Sequence, residues 1–417
     1  MQHAPHAVVL GLDSVTGLQA SRLLARRGIP VVGIAEDRRH PCCFTRTAQV
    51  VRQCEMTPSG LAAALSSLSA SLPSGAVLIP CTDDAVLALS RVRDRLPPSL
   101  LHALPAADLV AALLDKERFH RLASENGLPV PRTLAVTRAV DARLAARELG
   151  FPCVLKPTLK TRAWSEAAGA SVSVVRDAGD LERLLVAIDG LDQPFLLQEW
   201  VPGADTDMYS RHAYVDRDGR TLLSCVARKL RQWPPGAGVT TLAVEIDAPE
   251  IEEPCARLLA GVGYSGLCEL ELKRDSASGR VVLIEANPAR VALAMPIAEA
   301  AGVELLHTVY RYVAGLPPPE PRSERKRGAK WIWWRADRAS AAHYLRRGEL
   351  GVADYARSLG GHPSEAEISL HDPLPFAVLA WRTLRRVARL TPRSPSRSTA
   401  RGSPATSPRA GARRLRE

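Results

Sequence analysis

Aromatic side chains are scarce in this 417-residue chain: Phe, Trp and Tyr together make up 5% of it. Its cores must therefore be built from Leu, Val, Ala and Ile. Lysine is rarer than its charge suggests. Only seven of the 55 basic residues are Lys, at positions 116, 156, 160, 229, 273, 326 and 330. Where Arg supplies the bulk positive charge, a retained Lys is a candidate point charge for a single phosphate oxygen. The eight Cys contain no CxxC and no Cys/His pairing at zinc spacing, so a zinc ribbon is excluded and free thiols in a reducing cytosol are expected. No run of about 18 apolar residues is present, so no membrane span is expected. The N-terminus, Met-Gln-His-Ala-Pro-His, has no basic n-region, and no signal peptide is expected.

Hydrophobic residues make up 46% and charged residues 24%, the balance of a soluble globular protein with two or three domains. The net charge of +11 is unevenly placed. Residues 391–417 hold seven Arg and one Glu, a share of +6, which leaves +5 for the body. A basic nucleic-acid face is not needed to explain the charge. The tail interleaves Arg393, Arg397, Arg401, Arg409, Arg413, Arg414 and Arg416 with Ser and Pro and has no aromatics to stack on bases. It reads as disordered, and no nucleic-acid partner is expected.

The chain opens with a β-α-β pattern: strand 7–12, a turn Gly11…Gly17, helix 18–27, strand 29–34. The glycine spacing is not GxGxxG, so dinucleotide binding is disfavoured. Strands at 48–51 and 76–80 and helices at 59–71 and 85–93 continue it. Thr82 and Asp83 follow a strand end, where open parallel sheets collect ligands; Asp83 also suits a helix N-cap. This first domain is expected to end near residue 108. Farther on, Lys156 ends a strand that begins at Cys153. The stretch Thr158–Gly169 reads as a long, polar, aperiodic loop of the kind that forms lids. A strand at 195–198 runs into Gln198-Glu199-Trp200-Val201, and strands at 207–215 and 221–227 lead into Arg228 and Lys229.

Gly266–Lys273 and Arg280–Arg290 read as two strands joined by a polar turn. Glu269, Glu271 and Lys273 share one face of the first; the second ends Glu285-Ala-Asn287. A hairpin pairs these strands antiparallel, so acids of the two can face each other. Two carboxylates about 4 Å apart repel by roughly 4 kcal/mol at an effective dielectric of about 20. Either the acids are solvated, or a cation holds them. A hard divalent ion, Mg²⁺ first, suits carboxylate and amide oxygens. Point-charge lysines, a lid and an acidic metal hairpin are the parts phosphoryl transfer needs.

The ordered set Lys116…Lys156-Pro…Gln198-Glu199-x-x-x-Gly203…Arg228-Lys229…Glu269-x-Glu271…Glu285-x-Asn287-Pro-x-Arg290 resembles the ATP-grasp superfamily, and within it the carboxylate–amine ligase branch that includes D-aspartate-ligase-like proteins. The resemblance covers about residues 7–316. It implies an α/β and α+β fold, an N-terminal pre-ATP-grasp open parallel sheet followed by a two-subdomain ATP-grasp fold. The expected divisions are 1–108 (pre-ATP-grasp), 109–200 (small subdomain and hinge), 201–316 (large subdomain), 317–390 (C-terminal extension) and 391–417 (tail). It further implies that Lys116 and Lys156 hold nucleotide phosphates, and that Gln198, Glu199, Trp200 and Val201 meet adenine. Asp207 would reach the ribose. Glu271, Glu285 and Asn287 would ligate Mg²⁺, with Mn²⁺ as the alternative. Arg290 would anchor a substrate carboxylate or the transferred phosphate, and Arg228 and Lys229 would lie near the γ-phosphate. The sequence departs from the pattern at Gly169, the one glycine of the lid, at Ser171 and Ser173, where a lysine is common, and at Pro288-Ala289-Arg290.

The implied reaction activates a small-molecule carboxylate with ATP and joins it to an amine in the cytoplasm. A dimer is one expectation for the assembly. The rival reading is a catalytically silent ATP-grasp protein that binds nucleotide and acts as a scaffold.

Overall fold

A computed structural model describes residues 4–170, 172–319, 325–361 and 363–390. Ser171 and the tail 391–417, both discussed above, lie outside the described residues. The chain divides into two units, Met1–Val378 and Leu379–Glu417. The described part of the second unit, Leu379–Leu390, continues a helix that starts at Leu374.

The first unit opens with a parallel sheet. Its strands β1 (His6–Leu10), β2 (Val31–Ala35), β3 (Ala48–Gln53), β4 (Ala76–Pro80) and β5 (Leu100–Leu101) stand in the order β3-β2-β1-β4-β5. Strands β2 and β4 are buried at every position, which is why they read as continuous apolar runs rather than alternating ones. The crossover helices Val15–Ala25, Pro58–Ser69 and Asp83–Val92 start at the caps Ser14, Thr57 and Thr82, whose side chains each accept a backbone N–H. Thr82, not Asp83, is therefore the cap of the third helix, and the Asp83 carboxylate is left for another partner. A Cβ on Gly17 would sit 2.3 Å from the Gly11 carbonyl oxygen, so the Gly11…Gly17 turn is closed by backbone packing.

A four-stranded antiparallel sheet follows, in the order β6-β9-β7-β8, from β6 (Thr133–Val136), β7 (Cys153–Pro157), β8 (Ser173–Val175) and β9 (Phe195–Glu199). The stretch read as an aperiodic lid contains a helix, Arg162–Ala168, capped by Thr161 and stopped by Gly169 in the left-handed region. Its Trp164 is fully buried in the core of this sheet, with its ring 6.0 Å from that of Phe195. One large apolar side chain among polar neighbours supplies no periodicity, so the sequence reading missed the anchor.

The third sheet has seven strands in the order β14-β13-β10-β11-β12-β15-β16. They are β10 (Met208–Val215), β11 (Thr221–Trp233), β12 (Val239–Ile246), β13 (Gly266–Arg274), β14 (Val281–Pro288), β15 (Lys330–Ile332) and β16 (Ser364–Glu365). Among the described residues of this sheet, β15 and β16 pair parallel and the other pairs are antiparallel. Strand β11 extends six residues beyond its expected end, so Arg228 and Lys229 project from a strand rather than from a loop. The region beyond residue 316 supplies β15 and β16, and buried ion pairs fix it to the body. Arg231 of β11 donates to Asp337 at 2.8 and 2.9 Å, with both groups almost fully buried. Arg22 of the first helix donates to Asp372 at 2.9 Å. Among the described residues no helix is long and apolar enough to cross a membrane.

Candidate functional site

The register of the β13–β14 hairpin decides which acids meet. Glu271 lies opposite Glu285 and Glu269 lies opposite Asn287, with a bulge after Glu271. Both acids of the first pair carry a lysine. Lys116, the first residue of the helix Lys116–Glu125, donates to Glu285 Oε1 at 2.5 Å. Lys229 of β11 donates to Glu271 Oε2 at 2.9 Å. Burial would raise the Glu285 carboxyl, but Lys116, with Lys156 and Lys160, outweighs it and brings it down to about 2. Burial alone would lower Lys229; Glu271 reverses the sign and holds it above its ordinary value.

Lys156 is the penultimate residue of β7 and is buried. Burial first, then the Lys116 charge, lower it to about 7 against the opposing pull of Glu285. Its ammonium donates to Gln198 Oε1 at 3.0 Å. Gln198 in turn donates from Nε2 to Thr133 Oγ1 at 2.7 Å and lies 3.1 Å from His120 Nδ1. His120 Nε2 lies 3.1 Å from the Ile284 carbonyl, which can only accept, so Nε2 carries the proton and Nδ1 is the acceptor. Burial and Lys156 keep this imidazole neutral, with its pKa lowered to about 3. The Gln198 side chain is thus committed to aiming Lys156.

A cavity of about 110 Å³ lies between the four-stranded and seven-stranded sheets. Lys156, Lys229, Glu271 and Glu285 line it, as do Gln198, Glu199, Trp200 and Val201. Apolar contacts come from Val154, Met208 and Ile284. Lys273, one of the seven lysines but given no place in the expected ligand site, lines it too, as do Gln232 and the turn Gly236–Gly238. Lys273 sits 4.4 Å from the centre of the Trp200 ring, a cation–π contact. Its outward phase with Glu271 was visible in the alternation of the strand; the turn carried no such signal.

Other predicted residues are placed elsewhere. Asp207 accepts the Ala204 N–H at 2.8 Å, closes a turn and does not line the cavity. Arg228 donates to the Thr206 carbonyl at 2.7 Å and is also outside it. Arg290 lies beyond the hairpin, donating to Asn287 Oδ1 and to Asp83 Oδ1, each at 2.5 Å. Asn287 Nδ2 donates to Glu269 Oε2 at 2.8 Å. A chain of bonds therefore runs from Asp83, at the start of the helix Asp83–Val92, through Arg290 and Asn287 to Glu269. Burial and then Glu271 push Glu269 above the usual carboxylate range.

The expected donor set for a hard cation, Glu271, Glu285 and Asn287, is two carboxylates and one amide oxygen. Among the described residues no group of three or more His, Cys, Asp or Glu side chains is assembled to hold a metal. Glu271 and Glu285 face each other and offer the oxygens Mg²⁺ prefers. Asn287 Oδ1, however, is engaged by Arg290. The set fits such an ion once the two lysines and Arg290 give up their acceptors to it.

No protein-family model matches the chain. Among curated proteins it is similar to D-aspartate ligase of Enterococcus faecium, with 26% identity over 220 residues, 51% of this chain and 52% of the relative. It is similar to D-alanine–D-alanine ligase of Ectopseudomonas mendocina, with 27% identity over 193 residues, 42% of this chain and 56% of the relative. The matches thus span about half the length of these curated relatives. Among solved structures, the ADP complex of an N5-carboxyaminoimidazole ribonucleotide synthetase superposes with a TM-score of 0.63 at 15% identity, covering 84% of this chain and 86% of that one. By these similarities the chain resembles proteins of the ATP-grasp superfamily. Its ATP-grasp fold consists of the parallel sheet, the small antiparallel sheet and the large sheet, and the cavity lies between the last two.

Proposed function

We propose that this ATP-grasp protein is an ATP-dependent carboxylate–amine ligase that forms an amide or peptide bond through an acyl phosphate. The observation that carries the reading is the convergence of Lys156, Lys229, Glu271 and Glu285 on one cavity between two sheets. Two point charges and two facing acids suit a nucleotide polyphosphate with Mg²⁺, and relatives named as ligases support the reaction class.

In the proposed division of labour, Lys116 and Lys156 hold the nucleotide phosphates, and Lys116 leaves Glu285 to do so. Glu199, Trp200 and Val201 receive adenine at the end of β9, chiefly through backbone groups, while Gln198 aims Lys156. Glu271, Glu285 and Asn287 would hold Mg²⁺, which when bound neutralises charge on the terminal phosphates. Lys229 stands beside Glu271 and faces the transferred phosphoryl group; Arg290, held by Asp83, receives the substrate carboxylate. Asp207 and Arg228 act by shaping the turn 203–207, a role revised from direct ligand contact. One carboxylate oxygen attacks the γ-phosphorus, the bond to ADP breaks, and an acyl phosphate forms. The amine nitrogen then attacks the acyl carbon, inorganic phosphate leaves, and the nitrogen loses a proton. Positioning and charge neutralisation suffice for both steps.

The domain divisions at 108, 200, 316 and 390 belong to this proposal. The eight cysteines are all free, which supports a cytoplasmic setting. A matrix of amino acids and short peptides screened for ADP release, with mass analysis of products, tests the reaction. An acid that stimulates ADP release, and an amine that turns it into an amide, is the expected result. Nucleotide binding without stimulation by any pair would favour the scaffold reading.

A further inference from the structure

Asp205 ties together three parts of the chain that are remote in sequence. It lies between the end of β9 and the start of β10. Its Oδ1 accepts from Gln232 Nε2 at 2.7 Å and from the Gly236 N–H at 3.1 Å. Its Oδ2 accepts from the hydroxyl of Tyr344, on the helix Trp334–Arg346 of the C-terminal extension. Gln232 and Gly236 line the proposed nucleotide cavity, together with Ala237 and Gly238; Asp205 and Tyr344 do not. The carboxylate and the phenol instead line a neighbouring groove of about 940 Å³, which shares Trp200 and Gly236 with the cavity.

The turn between β11 and β12 has little else to fix it. Its sequence is Pro234-Pro235-Gly236-Ala237-Gly238, so it carries no long side chain of its own. Gly236 has φ 79°, and a Cβ there would come 3.3 Å from the Trp200 ring. The turn therefore packs against the hinge tryptophan through bare backbone, and Asp205 holds it in place. A carboxylate that accepts from a backbone N–H, an amide and a phenol is a strong anchor, since bonds to a charged acceptor are worth roughly twice neutral ones. The helix that carries Tyr344 is itself fixed to β11 by the buried Arg231–Asp337 pair.

We propose that Tyr344 and Asp205 are positioning residues for nucleotide binding, through which the C-terminal extension sets the wall of the nucleotide cavity formed by Gln232 and the Gly236–Gly238 turn. The inference rests on the nucleotide reading of that cavity. It assigns the extension a part in binding that its distance from the cavity in sequence conceals.

The test compares ADP affinity by titration calorimetry, and KM for ATP against kcat, for the full chain and for Tyr344→Phe, Asp205→Ala and the double variant. Tyr344→Phe removes only a hydroxyl. It is expected to weaken nucleotide binding and raise KM by about three- to tenfold, with kcat within about twofold, the effect of losing one bond to a charged group. Asp205→Ala is expected to lose more, and the double variant no more than Asp205→Ala, because both act through one carboxylate. Melting temperatures monitor folding, and Tyr344→Phe keeps the test valid should Asp205→Ala not fold. Equal ADP affinity in wild type and Tyr344→Phe, or additive losses in the double variant, would overturn the inference and leave the nucleotide reading standing. A wild-type protein that binds no nucleotide would overturn that reading and the inference with it.

Discussion

Lys156 makes the proposed phosphate contact sensitive to pH. Burial and Lys116 bring it from an ordinary 10.5 to about 7. The unfolded chain binds more protons than the folded one between these values, so this group makes folding more favourable as pH rises from about 7 to 10.5. Nucleotide phosphates favour the charged ammonium, so binding has the opposite slope. Affinity for ADP should be flat below about pH 7 and weaken above it, by up to about tenfold per unit. Lys156→Arg should abolish that slope, because Arg stays charged throughout. Calorimetric titrations across this range check both statements; a flat profile in the wild type would contradict them. At the other end of the hairpin, Ala289 sits in the left-handed region at φ 58°. Its N–H donates to the Leu267 carbonyl at 2.6 Å and lies 3.0 Å from the Tyr264 hydroxyl. This turn carries the chain from Asn287 to Arg290. A β-branched residue fits it poorly, so Ala289→Val should cost about 1–3 kcal/mol while Ala289→Gly stays within about 1 kcal/mol of wild type. Denaturant unfolding measures the difference.

Among the elements, the helix Arg162–Ala168 is held by a single large side chain. Trp164→Ala should cost about 3–5 kcal/mol, the range for a fully buried aromatic, and should loosen the four-stranded sheet first. Hydrogen exchange is the readout: faster exchange confined to β7, β8 and β9 is expected, and unchanged protection would argue against the anchor. The same helix shows why the sequence was legible only in part. The β-α-β run of the first sheet could be read because apolar strands and capped helices alternate at short spacing. The acid hairpin could be read because Glu269 and Glu271 alternate with Cys268, Leu270 and Leu272 around a polar turn. The pairing of Glu271 with Glu285 could not be read from periodicity, since Glu269 has the same phase; it depends on the bulge after Glu271. Lys229 seemed to stand in a loop because Arg228, Lys229 and Arg231 interrupt the apolar pattern of β11. Lys229 and Arg231 are buried yet paired, Lys229 with Glu271 and Arg231 with Asp337. Cross-strand partners far apart in sequence leave no local trace.

In the first unit as a whole, the extension beyond residue 316 is part of the large sheet and is held by charges with little access to water. Removing one member of such a pair strands the other in a poor solvent. Asp337→Ala should therefore destabilise the protein by about 3–5 kcal/mol, and Asp337→Asn by less, because the amide still accepts from Arg231. Thermal unfolding tests this, and a loss below about 1 kcal/mol would contradict it. The account as a whole turns on the two facing acids. Its most direct measurement is substrate-stimulated ADP release by wild type and by Glu285→Gln, side by side, over a series of Mg²⁺ concentrations. The prediction is Mg²⁺-dependent release that falls about hundredfold or more in the variant, because Gln keeps the shape but loses the charge. Near wild-type release by Glu285→Gln would contradict the assignment of the hairpin.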